Sequence, residues 1–281
     1  MTEKTEKELF EEHIKDKSQA SINTYRRGYK KLTDATSTSI HQTTQKTLLN
    51  HIRKLENMNS RQLLINVGII VRRLYDDVKV DLLMKEREEN KLEIEKDVKI
   101  RNKKKVEELP SLEEFERFVD YLYESKDWVS YIINYLILNF NTRNQDLIFT
   151  ITNLQRDTKN KNENYMWIGR DKVTYIRNIY KTAYKHGTKR NVITDSKFRN
   201  AMMELRKMRR KGKGLFAPEG IASEHLGYYI IQKTFNKLGE GNLLKVVING
   251  NSGNFQKLRE ISANRGTGLS VLLENYDITN Q

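Results

Sequence analysis

Cysteine is absent from this 281-residue chain, which excludes disulfides, a thiolate nucleophile and cysteine-ligated zinc. The five histidines, His13, His41, His51, His186 and His225, lie far apart without ligand spacing, so neither a metal nor a cofactor is expected. No apolar run approaches the roughly 18 residues that a membrane span requires. The charged start Met1-Thr2-Glu3-Lys4 is not that of a signal peptide. A soluble, intracellular protein is expected, cytoplasmic or nuclear according to where its partner lies, with no membrane association. Lys213-Gly214 lies among glycines, but the GxxxxGK(S/T) pattern and its preceding strand are missing, so it is not a phosphate loop.

Positive charge is what the chain has in excess. Lys and Arg number 51 against 37 Asp and Glu, a net +14, and the basic residues are spread along the whole length. That balance favours a polyanionic partner: DNA, RNA or an anionic membrane surface. The length accommodates two domains, each able to bury a core. Residues 1–84 read as four short amphipathic helices. The first runs from Glu6 to Lys17, the second is capped by Ser21, the third by Thr43 or Thr44, and the fourth starts at Ser60. Arg26, Arg27, Lys30 and Lys31 form a basic face on the second. Residues 85–107 read as a charged helix running into a flexible basic linker, with Arg101, Lys103, Lys104 and Lys105 as candidate phosphate contacts.

Residues 108–281 form the second domain. Ser111 caps a helix, with Glu114 as its capping-box partner, and an apolar helix around Ile132 and Leu136 follows. That helix gives out into the polar NFNTRNQDL, which presents Arg143 at a pocket. The periodicity then becomes strand-like at Tyr165–Ile168, at Val173–Ile176 and after His186-Gly187, a small antiparallel sheet of three strands. Helices are expected from Asp195 to Lys211 and from His225 to Leu238, separated by the glycine-rich GKGLFAPEG. The fold class is mainly α (α+β), a helical bundle followed by a mixed helical domain with a small sheet.

LPSLEEF, an apolar helix and NTRNQDL together resemble the first arginine motif of the tyrosine recombinases, or phage-type integrases. In that family Leu-Pro-(Ser/Thr)-x-x-Glu opens a helix and Thr-Gly-x-Arg-x-x-(Glu/Asp)-Leu follows. Arg143, Asp146 and Leu147 are in register, while the usual glycine is absent. SxxTYRRGYKKL is similar to the family's core-binding domain, which clamps the duplex. KTAYKHGTKRNVI echoes KTxxxGxxRxV, with Lys181 as the best match to the hairpin lysine and Lys185 and Lys189 as rivals. NFQKLREISANRG resembles the HxLRH segment: Leu258 and Arg259 are in place, but Gln256 and Glu260 stand where histidines are expected. Tyr276 is the one tyrosine after Arg259, 17 residues on, about half the family's usual interval.

The resemblance implies a site of Arg143, Lys181, Gln256, Arg259 and Tyr276. The tyrosine hydroxyl attacks a phosphodiester to give a 3′-phosphotyrosine, and the arginines neutralise the phosphoryl oxygens without metal or nucleotide. Lys185, Lys189 and Arg265 join as DNA contacts. The implied partner is double-stranded DNA, bound by a dimer or tetramer of the chain. Gln256 cannot shuttle a proton near neutral pH, so the alternative is a catalytically degenerate DNA-binding or DNA-packaging protein of the same fold. Scarce proline with abundant Lys and Asn matches an AT-rich source such as a virus or mobile element.

Overall fold

The computed structural model describes residues 4–36, 38–75, 79–106, 108–208 and 226–276, without the side chains of 102–106, 157, 226 and 274–276. The chain divides into two compact units, Met1–Arg101 and Asn102–Gln281.

The first unit is a bundle of α1 (Glu6–Ile14), α2 (Gln19–Thr36), α3 (Gln45–Arg53) and α4 (Met58–Arg73). Its core is Phe10, Ile14, Leu32, Leu48, Ile52, Ile65, Val67 and Val71. The Thr5 hydroxyl and the Glu8 carboxylate cap α1 reciprocally, and Thr44 caps α3. Two starts fall earlier than the sequence reading. Ser18 Oγ accepts the Ser21 N–H at 3.3 Å, and the Asn57 amide oxygen accepts the Ser60 N–H at 2.9 Å. Ser21, read as a cap, and Ser60, read as a start, therefore both lie inside the first turn. A Cβ on Gly28 of α2 would meet Leu63 and Val67 of α4 at 3.1 Å, so glycine permits the close crossing of these helices.

α5 (Asp81–Val106) continues through the segment read as a flexible linker. It has no apolar stripe, but pairs at i,i+4 line it: Lys85–Glu89 at 3.8 Å, Lys91–Glu95 at 3.7 Å and Asp97–Arg101 at 3.5 Å. Each adds a few tenths of a kcal/mol to helix stability, about 0.2–0.5. The charge alternation that suggested solvation thus also sustains the helix.

The second unit begins with α6 (Leu112–Glu124), where Ser111 and Glu114 form the expected capping box, and α7 (Trp128–Phe140). Next come β1 (Thr150–Thr152), β2 (Tyr165–Ile168), β3 (Val173–Arg177), the short α8 (Ala183–His186) and β4 (Lys189–Ile193). The rest is helical: α9 (Ser196–Met208), α10 (Leu226–Ile231), α11 (Glu240–Gly250), α12 (Phe255–Arg265) and α13 (Leu269–Tyr276). Strands β2, β3 and β4 make the expected antiparallel set. β1 adds a fourth strand parallel to β2, so the sheet is mixed, in the order β1-β2-β3-β4. Three residues inside an apolar run carry too short a pattern to read as a strand.

The helix expected over His225–Leu238 stops at Ile231. Asn236 and Lys237 take left-handed backbone angles, φ 49° and 54°, which turn the chain instead. His225 and the connector 212–220 lie outside the described residues.

The core of this unit wraps α7. Ile132, Ile133, Leu136 and Ile137 are buried against Phe115, Phe198, Leu244, Val247, Leu258 and Leu272. Each such side chain contributes about 1.5–3 kcal/mol on burial. Asn134, fully buried among them, donates to the carbonyls of Ser130 and Lys233 and accepts the Phe235 N–H. These contacts tie α7 to the turn that follows α10.

Candidate functional site

The elbow after α7 is built from a sequence suited to a sharp stop. Asn141 closes the helix in the left-handed region (φ 53°, ψ 40°), a conformation that asparagine tolerates better than most residues. Arg143 follows in extended backbone, and a 3-10 turn spans Asn144–Leu147. Asp146, 1% exposed, folds back so that its Oδ2 accepts the Arg143 N–H at 3.2 Å. The Tyr175 hydroxyl donates to the Asp146 carbonyl.

The other half of the site is the end of α12. Leu258, Ile261 and Arg265 are buried at i, i+3 and i+7, so Arg265 belongs to the core-facing stripe. Gly266, at φ 65°, terminates the helix, and the Thr267 N–H reaches back to the Ser262 carbonyl at 3.1 Å. A Cβ at Gly266 would lie 2.3 Å from Thr182 Oγ1 and 3.2 Å from Lys189 Nζ, so glycine also lets the β3–β4 connection close over this turn.

The two halves hold each other. Arg143 Nη1 donates to the Arg265 carbonyl at 2.8 Å and Nη2 to Thr267 Oγ1 at 3.2 Å. Arg265 Nη1 donates to the Asn141 carbonyl at 3.2 Å, and Nη2 pairs with Glu240 Oε1 at 3.0 Å. The second oxygen of Glu240 accepts the Asn144 N–H.

From the sheet, Arg177 and Lys189 stand opposite each other in register on one face. Arg177, wholly buried, donates to the Asn264 carbonyl at 3.1 Å and to Asn191 Oδ1 at 3.0 Å, and its Nη1 lies 3.6 Å from Asp146 Oδ2. Lys189 Nζ donates to the carbonyls of Ala263 and Asn264 and lies 4.9 Å from the Tyr180 ring centre. Three cations thus meet the final carbonyls of α12, the negative end of the helix dipole.

Four cations and two carboxylates at one place shift titrations. Burial, then the Arg177 charge, pushes the Lys189 ammonium down to about 8; Asp146 opposes this and Arg143 adds to it. Burial raises Asp146 above the usual carboxylate range, opposed by the Arg143 N–H and the charges of Arg177 and Arg143. Buried polar side-chain atoms without a hydrogen-bond partner also gather here among the described residues: Thr142 Oγ1, Asn144 Oδ1, Asp146 Oδ1, Arg177 Nε and Thr182 Oγ1. Such a concentration makes the elbow the candidate site.

Of the residues expected at the site, Arg143, Lys189 and Arg265 come together. Lys181 and Lys185 are exposed on the β3–β4 connection, with Lys185 Nζ 5.7 Å from the Tyr184 ring centre. Gln256 and Arg259 are exposed on α12, and the Arg259 guanidinium lies 4.9 Å from the Phe255 ring centre instead of joining Arg143. One residue past the buried Leu258, Arg259 is turned off the core stripe that Arg265 shares. Tyr276 ends α13, and its side chain lies outside the described residues, as do those of Lys103, Lys104 and Lys105.

On α2, Arg26, Arg27, Lys30 and Lys31 are exposed, and Arg26 already pairs with Glu11 at 2.7 Å; Arg101 is exposed on α5. Arg177, Asp146 and Glu240 were not singled out as site residues from the sequence. For Arg177 a signal existed, a charged residue ending the alternation of a buried strand. Among the described residues no group of three or more His, Cys, Asp or Glu is placed to hold a metal, and no helix is long and apolar enough to cross a membrane.

The chain is thus mainly α-helical with a small sheet, and its arginine elbow meets a later helix end and a lysine of β4. Comparison with solved structures finds similarity to the crystal structure of XerA recombinase, with 13% identity over 97% of this chain and 93% of that chain and a TM-score of 0.37. No protein-family model and no curated protein matches the chain.

Proposed function

We propose that the chain is a DNA-binding tyrosine recombinase that cleaves and rejoins a strand through Tyr276. The observation that carries this reading is the meeting of Arg143, Lys189 and Arg265, drawn from three distant parts of the sequence, at one elbow. In this reading Arg265 and Lys189 take the roles that motif spacing assigned to Arg259 and Lys181. The Tyr276 hydroxyl gives its proton to water, and its oxygen bonds to the scissile phosphorus. The bond from phosphorus to the 5′ oxygen breaks, and that oxygen takes a proton from the Lys189 ammonium. Arg143 and Arg265 neutralise the non-bridging oxygens. A donor with a pKa near 8 transfers its proton more readily at neutral pH than an ordinary lysine.

A second reading, a recombinase-fold protein that binds or packages DNA without cutting it, is favoured by one observation. The cations already hold the carbonyls of α12, and Glu240 neutralises Arg265.

A pool of nicked suicide duplexes of random sequence separates the two. Cleavage leaves a covalent protein–DNA adduct on a denaturing gel, which Tyr276→Phe abolishes and Arg265→Ala lowers by about 100-fold or more. Arg259→Ala leaves the adduct essentially unchanged. Duplex binding without any adduct from the wild type overturns the cleavage reading in favour of the second.

A further inference from the structure

On the reverse face of the sheet lies a second cationic hollow, of about 480 Å³, lined by Gln155, Arg156, Thr158, Lys159, Lys161 and Arg190. None of these six residues is acidic, and four carry positive charge. Strand alternation creates the arrangement: on β4, Lys189 faces the arginine cluster and its neighbour Arg190 faces the opposite side. β4 is an edge strand, so one strand offers a cation to each side of the same exposed edge.

The segment that supplies the other three cations is anchored, which keeps them in place. Asn178 Nδ2 donates to the carbonyls of Asn160 and Glu163 at 3.2 and 2.7 Å. Thr158 Oγ1 donates to the Gln155 carbonyl at 2.8 Å, and Lys161 Nζ donates to Thr188 Oγ1 at 3.3 Å. Glu163, two residues beyond Lys161, has its carboxylate oxygens taken by Asn160 Nδ2 at 2.9 Å and Thr150 Oγ1 at 3.1 Å. Its charge is thereby directed to polar groups of its own loop and strand.

We infer that this hollow, built on Arg156, Lys159, Lys161 and Arg190, is a phosphate-backbone contact for duplex DNA, separate from the arginine cluster. Among the described residues of the lining, Lys159, Lys161 and Arg190 are exposed cations and none is a carboxylate, which fits a repeated anion such as the phosphodiester chain. The hydrogen bond from Lys161 Nζ to Thr188 Oγ1 ties the hollow to the β3–β4 connection that carries Lys181 and Lys185. The inference rests on the DNA-binding reading above. It adds a contact that binds without base readout, positioning the duplex across the edge of the sheet.

The test uses the full chain and the salt dependence of its affinity for short duplex DNA of random sequence. A variant with Lys159→Ala, Lys161→Ala and Arg190→Ala, all at exposed positions, is expected to lower the slope of log K against log salt by about 2.7, or about 0.9 per lost phosphate contact. The affinity lost between 50 and 200 mM salt then shrinks about 40-fold relative to wild type. A control variant removes Lys197 and Lys257, which already pair with Asp120 at 3.0 Å and Glu260 at 3.3 Å, and should keep the wild-type slope.

An unchanged slope in the triple variant overturns the inference and leaves the DNA-binding reading standing. An equal fall in the control reduces the effect to net charge and overturns it too. An effect on duplex RNA but not on DNA refutes the partner class. Absence of duplex binding by the wild type at low salt overturns both readings together.

Discussion

Arg177→Met tests whether the elbow is held by charge or merely surrounded by it. Arg177 is fully buried and Asp146 is 1% exposed, with Nη1 and Oδ2 3.6 Å apart. At an effective dielectric constant near 20, that separation corresponds to about 5 kcal/mol of attraction. Desolvation costs several kcal/mol per ion, so the pair as a whole is near neutral in stability. Removing one member is another matter, because it strands the other: Arg177→Met is expected to destabilise the unit by about 3–5 kcal/mol. Because burial raises the Asp146 carboxyl, its neutral isostere Asp146→Asn is expected to cost less than Arg177→Met, and the double variant to lose much less than the sum, with a coupling energy of at least about 2 kcal/mol.

The assay is built into the chain. Both tryptophans, Trp128 and Trp167, lie in the second unit, so their fluorescence during urea unfolding reports that unit without the first. Acid gives an independent check. Because Asp146 is raised in the folded state, its favourable contribution is complete below the unfolded carboxyl range and is lost as pH rises through the folded value. On acidification the wild type therefore gains on Asp146→Asn. A cost for Arg177→Met under about 1 kcal/mol, or a double variant as damaged as the two singles added, refutes the reasoning.

Two further outcomes follow from neighbouring residues. Lys189 titrates near 8 when folded against 10.5 in its ordinary state, so between those values the unfolded chain binds more protons and folding stability rises with pH. Lys189→Met should abolish that rise, read as the difference between wild-type and variant urea midpoints at each pH. Gly266→Ala combines a left-handed backbone with a Cβ 2.3 Å from Thr182 Oγ1, and should cost about 1–3 kcal/mol by the same fluorescence measurement. Adding Thr182→Ala should return the steric part and leave the backbone part.

Local chemistry was the most legible. The Ser111–Glu114 capping box, the apolar face of α6 and the antiparallel set β2-β3-β4 follow from patterns spanning a few residues. The missing motif glycine has a local answer as well: Asn141, two residues before Arg143, takes the left-handed turn in its place. The site was half legible for a different reason. Matching letters favoured Arg259, whereas the buried stripe Leu258, Ile261, Arg265 points to the arginine on the inner face. Periodicity there tells which arginine faces the core, and motif spacing does not. Which lysine meets the end of α12 could not be decided from the sequence, because three lysines in nine residues differ only in how the β3–β4 connection folds. The roles of Arg177 and Glu240 depend on partners distant in sequence: Asp146, 31 residues away, for the first, and Arg265 and Asn144, 25 and 96 residues away, for the second.

The reciprocal grip between the elbow and the end of α12 also sets an order of events in folding. Arg143 and its acceptors at Arg265 and Thr267 are separated by 122 and 124 residues, among the most distant pairings in the unit. Contacts of such range form after local helices and hairpins, since the loop they close must be ordered first. During synthesis Arg143 and Arg177 emerge well before the α12 carbonyls to which they donate. In the nascent unit Arg143 and Arg177 therefore lack these carbonyl partners until the last helices dock.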